Sequence, residues 1–333
     1  MAPASPGLAG ELLRRAAGPA IASMFEGLAA LGALHPDARP EAHGVERLRD
    51  IPYRDSGLNA HLLDIYRPVD VRDAPVLFYV HGGGFRILSK DTHWVMGLAF
   101  ARAGFVVVNI NYRLAPAHPF PAALVDASRA LCWTQDHIGE FGGDPSRQVI
   151  AGESAGANLA CALTCATSLR GEPGWLREIF ERQIRPTATI AACGILQVSD
   201  PDRFRRRKKL PGWLYDRIEE VSRAYLGASS YADRRSERWA NPLTLIESLE
   251  SPEALERPLP PFFTPVGTRD PILDDTRRLA RALRRLNTPV VERYYPGEVH
   301  AFHAFVWREQ ARRCWDDTFA FLQQHGPAIS SAG

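Results

Sequence analysis

The chain predicts an α/β architecture, a mostly parallel sheet with helices on both faces, and three observations carry that expectation. From about residue 47, short β-branched runs alternate with helical stretches, the rhythm of strand–helix–strand units. Two of the runs, Pro75 to Val80 and Phe105 to Ile110, are continuously apolar but for Asn109, as expected of strands covered on both faces. At 333 residues, 45% of them apolar and 23% charged, the chain can bury one large core and has the balance of an ordinary globular protein.

The elements follow in order. Arg14-Arg15 ahead of an apolar stretch faintly resembles a secretion signal, but Pro19 and Glu26 interrupt the run. Ile21, Met24, Phe25, Leu28 and Leu31 fall instead at helical spacing, which predicts an amphipathic helix resting on something apolar within residues 1–46. Strands are expected over 47–54, 60–67, 75–81, 105–111, 147–153, 186–197, 261–267 and 289–295, giving an eight-stranded sheet. The first two alternate more than the others and are joined through Asp55-Ser56-Gly57-Leu58-Asn59, so they read as an edge hairpin. The catalytic domain is then 47–199 with 258–333. Between the two parts, residues 200–257 hold no strand pattern and are too long for a simple connection, so a helical insertion is expected, forming a cap together with residues 1–46.

Composition excludes several classes. A formal charge of +2 on this size gives nucleic acid no footprint. No window is apolar for long enough to span a bilayer, so no stable membrane insertion is expected, and the protein is placed in the cytoplasm. The cysteines Cys132, Cys161, Cys165, Cys193 and Cys314 are odd in number and scattered through apolar stretches, which reads as reduced core thiols. Cys161 and Cys165 share a helical face without a partner to complete a metal set; no metal and no cofactor is implied.

The strongest local pattern is Gly152-Glu153-Ser154-Ala155-Gly156, between the strand Arg147 to Ala151 and the helical stretch Ala157 to Leu163. A serine there sits on a tight strand-to-helix turn, glycines on either side leave room for that backbone, and the following helix aims its N-terminus at a developing oxyanion. The second pattern is His81-Gly82-Gly83-Gly84-Phe85, directly after a central strand. Three glycines let main-chain N–H groups turn toward a ligand, and with the P-loop lysine and hydroxyl missing, a tetrahedral acyl intermediate suits the turn better than phosphate. The N–H groups of Gly83, Gly84 and Ala155 are the expected oxyanion donors.

A serine nucleophile needs a base, and the base needs an orienting acid. Asp270 follows the strand Pro261 to Gly267, and His300 follows the next strand, both on the edge where Ser154 is expected. Asp274 and Asp275 rival Asp270 but lead into a helix and read as first-turn carboxylates; His303 rivals His300 from inside the next helix. The favoured set is Ser154, Asp270 and His300. His81 is expected to stiffen the glycine turn and His118 to make a structural hydrogen bond.

These residues resemble the hormone-sensitive-lipase-like esterases of the α/β-hydrolase superfamily. The resemblance rests on His81 to Phe85, on Tyr112-Arg113-Leu114-Ala115-Pro116-Ala117-His118-Pro119-Phe120-Pro121-Ala122, on Gly142-Gly143-Asp144-Pro145-Ser146 leading to the elbow, and on Asp270-Pro271 and His300. It spans about residues 75 to 305, and it implies the α/β-hydrolase fold and the cleavage of small carboxylic monoesters of short to medium acyl chain. Three positions depart from the family: Ala117 where Glu is usual, Glu153 where Asp is usual, and Ala157 where Gly is usual. Glu153-Ser154-Ala155-Gly156-Ala157 is also similar to the longer cholinesterase-like carboxylesterases, which use Glu as the triad acid; Asp270 and the Tyr112 to Ala122 segment decide against them.

Several matters stay open in the sequence. Glu153 reads equally as a hydrogen-bonding support and as a surface carboxylate. Phe85, Phe204, Leu210, Trp213 and Tyr215 line an acyl pocket in one reading and pack a core in the other. The run Arg203-Phe204-Arg205-Arg206-Arg207-Lys208-Lys209 is expected to be a solvated face of the cap. Amide, carbamate or sugar-acetate cleavage uses the same machinery, and a relative that binds ligands without catalysis is the rival from another class. A homodimer is compatible with the sequence and not demanded by it.

Overall fold

The computed structural model describes residues 23, 26, 27, 29–171, 173–207, 210–227 and 237–328. Eight strands form one sheet: β1 (Val45–Pro52), β2 (Leu62–Pro68), β3 (Ala74–Val80), β4 (Val106–Ile110), β5 (Gly143–Glu153), β6 (Ala188–Ala192), β7 (Phe262–Gly267) and β8 (Val290–Tyr295). Their spatial order is β1-β2-β4-β3-β5-β6-β7-β8. β1 pairs antiparallel with β2 and β2 with β4, so the edge hairpin is present, and every later pairing is parallel.

Alternation along β3 sets the two layers. Val76, Phe78 and Val80 point to one face, where they meet α2 (Ala122–His137) and α3 (Ala155–Ser168). Leu77 and Tyr79 point to the other, toward α1 (Trp94–Arg102) and α9 (Glu309–His325). All seven residues of β3 are therefore buried, the larger side chains contributing on the order of 1.5–3 kcal/mol each, which explains the unbroken apolar run. Further helices are α4 (Gly174–Glu181), α5 (Asp202–Arg207), α6 (Gly212–Leu226), α7 (Pro242–Glu247) and α8 (Leu273–Arg285). α5, α6 and α7 lie between β6 and β7, where no strand intervenes among the described residues.

The register decides where chemistry can sit. Val80 pairs with both Ile110 and Gly152, Glu153 pairs with Ala192, and Gly267 pairs with Tyr295. The C-terminal ends of β3, β5, β6, β7 and β8 thus lie along one edge of the sheet, where parallel α/β sheets bring residues from several loops together.

One expectation changes. The apolar run 186–197 holds a strand only over Ala188–Ala192; Cys193, at φ +39°, turns the chain out of the sheet. Beyond it, main-chain N–H groups are satisfied by side chains rather than by a neighbouring strand. Asp275 Oδ2 accepts from Leu196 N at 2.9 Å, and Asn241 Oδ1 accepts from Val198 N at 2.8 Å and Ser199 N at 2.9 Å. Of the N-terminal helical positions, Ile21, Met24, Phe25 and Leu28 lie outside the described residues, as do Lys208 and Lys209 of the basic run. Leu31 is exposed, while Trp94 Nε1 donates to the carbonyl of Ala29 at 3.1 Å. Among the described residues, no helix is long and apolar enough to cross a membrane.

Candidate active site

Ser154 joins β5 to α3 at φ +52°, ψ −114°, a conformation that L-residues rarely adopt and that costs on the order of 1–3 kcal/mol. The neighbourhood holds it there. Ser154 N donates to the carbonyl of Ala192 at 2.9 Å, and its own carbonyl accepts from Asn158 N and Ile195 N, both at 3.3 Å. Glycine is required on both sides: a Cβ on Gly152 would stand 2.4 Å from the Gly156 carbonyl oxygen, and one on Gly156 would stand 2.0 Å from that of Val80.

The two loops after β7 and β8 supply the partners. His300 Nε2 lies 2.9 Å from Ser154 Oγ, and His300 Nδ1 lies 2.8 Å from Asp270 Oδ2. The other carboxylate oxygen of Asp270 accepts from Ile272 N at 2.9 Å, so the acid is buried and fixed at both oxygens. Burial works against a charged His300, but the charge and hydrogen bond of Asp270, with Glu153 beyond it, hold the imidazole above its ordinary value. Such a chain can draw a proton from the hydroxyl and return it to a leaving group. Asp274 and His303 take no part in it. Asp275 lies in the first turn of its helix, as expected, but it is fully buried and receives Arg203 Nη2 at 2.6 Å.

The glycine turn faces this group from the end of β3. A Cβ on Gly83, at φ +107°, would stand 2.0 Å from the Ile87 carbonyl oxygen, so the turn closes tightly only with glycine there. Among the described residues, neither Gly83 N nor Gly84 N donates to a protein acceptor, whereas the Gly83 carbonyl takes both Arg86 N and Ile87 N at 3.1 Å. His81 stiffens the turn, as the sequence suggests. Burial pushes its imidazole down to about 3, its Nδ1 donates to the Gly82 carbonyl at 2.7 Å, and its ring stacks on Tyr112 at 4.2 Å. Tyr112 Oη in turn donates to the His81 carbonyl at 2.9 Å. His118, by contrast, is exposed, and among the described residues its ring makes no hydrogen bond; only its backbone N–H does, to Leu114.

α6 packs over the turn. Val221 would meet a Cβ on Gly84 at 2.8 Å, Glu220 pairs with Arg86 at 2.7 Å, and Tyr225 stacks on Phe85 at 3.6 Å. Of the five acyl-pocket candidates, Phe85, Phe204 and Tyr215 are buried, Leu210 is half-buried and Trp213 is 69% exposed. The basic run is not simply a solvated face, because Arg203 is buried against Asp275 and Arg205 lies over the Tyr215 ring.

Sequence reading left one side chain undecided that the structure settles. Glu153 is buried, with Oε1 2.9 Å from His93 Nε2 and Oε2 2.7 Å from His303 Nε2. Nothing in the spacing of His93 announces this contact, since it is made across the sheet edge. Among the described residues, the atoms near enough to share a metal ion belong to Cys193, Asp270 and His300. There, the carboxylate and imidazole already bond each other, and burial pushes the Cys193 thiol well up.

Residues 77–304 match the family model described as alpha/beta hydrolase fold. The chain is 32% identical over 279 residues to Carboxylesterase NlhH of Mycobacterium tuberculosis, covering 82% of this chain and 78% of that protein. It is 28% identical over 285 residues to Esterase LipI of the same organism, covering 78% and 81%. Among solved structures, Bacterial Heroin Esterase superposes with a TM-score of 0.74 at 21% identity over 93% of this chain and 92% of the other. An esterase from the bacterial hormone-sensitive lipase family does so at 0.68 and 24% over 91% and 90%. With sheet order, elbow and relatives in agreement, the chain belongs to the α/β-hydrolase family and is a carboxylic ester hydrolase.

Proposed function

We propose that ester cleavage runs through Ser154 as nucleophile, His300 as base and then acid, and Asp270 as the group that orients and charges the imidazole. Ser154 Oγ attacks the ester carbonyl as His300 Nε2 takes its proton; the alcohol leaves with that proton, and water drawn through the same imidazole releases the acid. The N–H groups of Gly83, Gly84 and Ala155 receive the oxyanion of both tetrahedral intermediates. The observation that carries this reading is the continuous chain Asp270–His300–Ser154, with contacts of 2.8 Å and 2.9 Å, built from three separate strand ends.

The substrates in this proposal are small-molecule monoesters with short to medium acyl chains. α6 supports that choice, because the apolar side chain of Val221 sits against Gly84 and covers the glycine turn. Residues 1–46 and 200–257 act together as the cap in this reading. The five buried, unpaired thiols suit a reducing compartment, so the proposed location is the cytoplasm.

The deciding experiment sets wild type beside Ser154→Ala on p-nitrophenyl esters of graded acyl length, with amides and sugar acetates alongside. The variant is expected to lose turnover of every ester, and wild type to favour short to medium acyl chains over long ones. A folded Ser154→Ala protein that keeps the wild-type rate would end the proposal; faster turnover of an amide or a sugar acetate would move it to that substrate class.

A further inference from the structure

The carboxylate beside the nucleophile occupies an unusual place. Glu153 ends β5, is 6% exposed, and reaches away from solvent between two histidines that belong to different loops. His93 precedes α1, downstream of the glycine turn, and also lies 3.1 Å from the Ser89 carbonyl through Nδ1. His303 sits in the short helical turn Phe302–Ala304, three residues beyond His300, and its carbonyl accepts from Trp315 Nε1 at 3.1 Å. The carboxylate also walls the glycine turn directly: a Cβ on Gly82 would meet Glu153 Oε1 at 2.9 Å. One buried side chain thus touches, or holds a partner in, each of the three segments that must stay in register: elbow, glycine turn and histidine loop.

We propose that Glu153 is a positioning residue, whose buried carboxylate ties the loop of His300 and the Gly82–Gly84 turn to the Ser154 elbow and sets the field felt by His300. The inference rests on the triad reading, since without His300 as base there is nothing for the carboxylate to position. Burial of Glu153 favours its neutral form, yet the close imidazole of His303 at 2.7 Å and the hydrogen bond with His93 hold it well below the ordinary carboxylate range. A fixed negative charge therefore stands near the imidazole. His300 is faced by Asp270 from the loop after β7, by the Cys193 thiol from the end of β6, and by Glu153 from β5. Around Glu153 itself lie His81, Tyr79 and Tyr112 besides its two histidine partners, and burial raises both phenols far above their usual value, so neither contributes charge. Among these, Asp270 and Glu153 are the two carboxylates that favour protonated His300.

Both functions can be read separately from packing. Glu153→Gln keeps the size and removes the charge. Its kcat should fall about tenfold or more, as a misplaced oxyanion turn or base would cause, with KM for a p-nitrophenyl ester within about twofold. The acid limb of kcat/KM should move to lower pH, because His300 loses a neighbouring negative charge. Glu153→Asp should restore the limb while recovering only part of kcat, since the shorter arm cannot reach both histidines. If Glu153→Gln does not fold, His93→Gln and His303→Gln each remove one arm and should each lower kcat without raising KM. An unmoved acid limb in folded Glu153→Gln, or unchanged kcat in both histidine variants, would overturn the proposal. Its failure is distinct from failure of the triad: in the first case Ser154→Ala is still dead, in the second it is not.

Discussion

Gly83→Ala puts the glycine turn under the sharpest test. The backbone there has φ +107°, outside even the left-handed well that a few side chains tolerate, and the new methyl carbon would lie 2.0 Å from the carbonyl oxygen of Ile87. Real contacts of this kind essentially never fall below 3.0 Å, so turn and carbonyl must separate by about an ångström. Neither side yields cheaply, because the Gly83 carbonyl is itself bonded to Arg86 N and Ile87 N. A displacement of that size at a reacting centre costs about a hundredfold, and complete loss of one oxyanion donor about 10²–10³-fold, some 2.7–4 kcal/mol. The expected kcat for p-nitrophenyl butyrate is therefore lower by about two to three orders of magnitude, with the fold intact by circular dichroism. Gly84→Ala offers the internal comparison. Its φ of +59° is within reach of alanine, and the obstacle is the end of the Val221 side chain, so its loss should be about tenfold or less. If Gly83→Ala kept kcat within threefold of wild type, or fell no further than Gly84→Ala, the turn would not be presenting its amides to the oxyanion.

Other outcomes follow from the same geometry. The raised pKa of His300 means that the imidazole charges above its ordinary range, so kcat/KM should fall as pH drops through a value higher than 6.5, the base being useful only when neutral. Asp270→Asn should lower kcat on the order of 10³–10⁴-fold and move that acid limb to lower pH, since the variant loses both the tautomer and the charge that favour protonation; a rate within tenfold of wild type would show that Asp270 is not the orienting acid. Arg203→Ala leaves Asp275 buried without its main countercharge and should cost on the order of 3–5 kcal/mol in urea unfolding at neutral pH. Burial already raises the Asp275 carboxyl, and the variant raises it further. Stability that a raised acid withholds is lost as pH climbs from its unfolded toward its folded pKa, so the deficit should shrink in acid; an equal deficit at pH 4 and 7 would rule this out.

Much of the fold and site was legible because the signals are local or periodic. β3 and β4 announce themselves by apolar runs interrupted only by Asn109, and helices cover both of their faces. Ser154, Asp270 and His300 were readable because each follows a strand on the same edge, and register then brings those ends together without any help from sequence proximity. The Tyr112 to Ala122 segment shows a different kind of legibility. It can be recognised as a pattern, but its purpose appears only in three dimensions, where Arg113 places Nε 2.7 Å from Oδ2 of the buried Asp126 and Tyr112 braces the His81 carbonyl.

What could not be read are buried polar contacts between distant segments. The end of the run 186–197 looks like strand because its apolar content is all that periodicity registers, whereas the N–H groups of residues 196–199 are claimed by Asp275 and Asn241 from far along the chain. Arg203 looks solvated in a string of basic residues, and becomes buried only because Asp275 awaits it. Glu153 is the sharpest case, with partners 60 and 150 positions away that no spacing rule connects to it. Such groups share one physical trait: a charge removed from water must find its partner or lose its ionisation, so each buried carboxylate in this chain marks a place where segments are forced into register. In a hydrolase whose reacting atoms come from separate loops, that is where positioning residues should be sought. Glu153 lies next to Ser154, the proposed nucleophile, and Asp275 beside the segments 196–197 and 203, so perturbing the first should register in kcat and the second in stability.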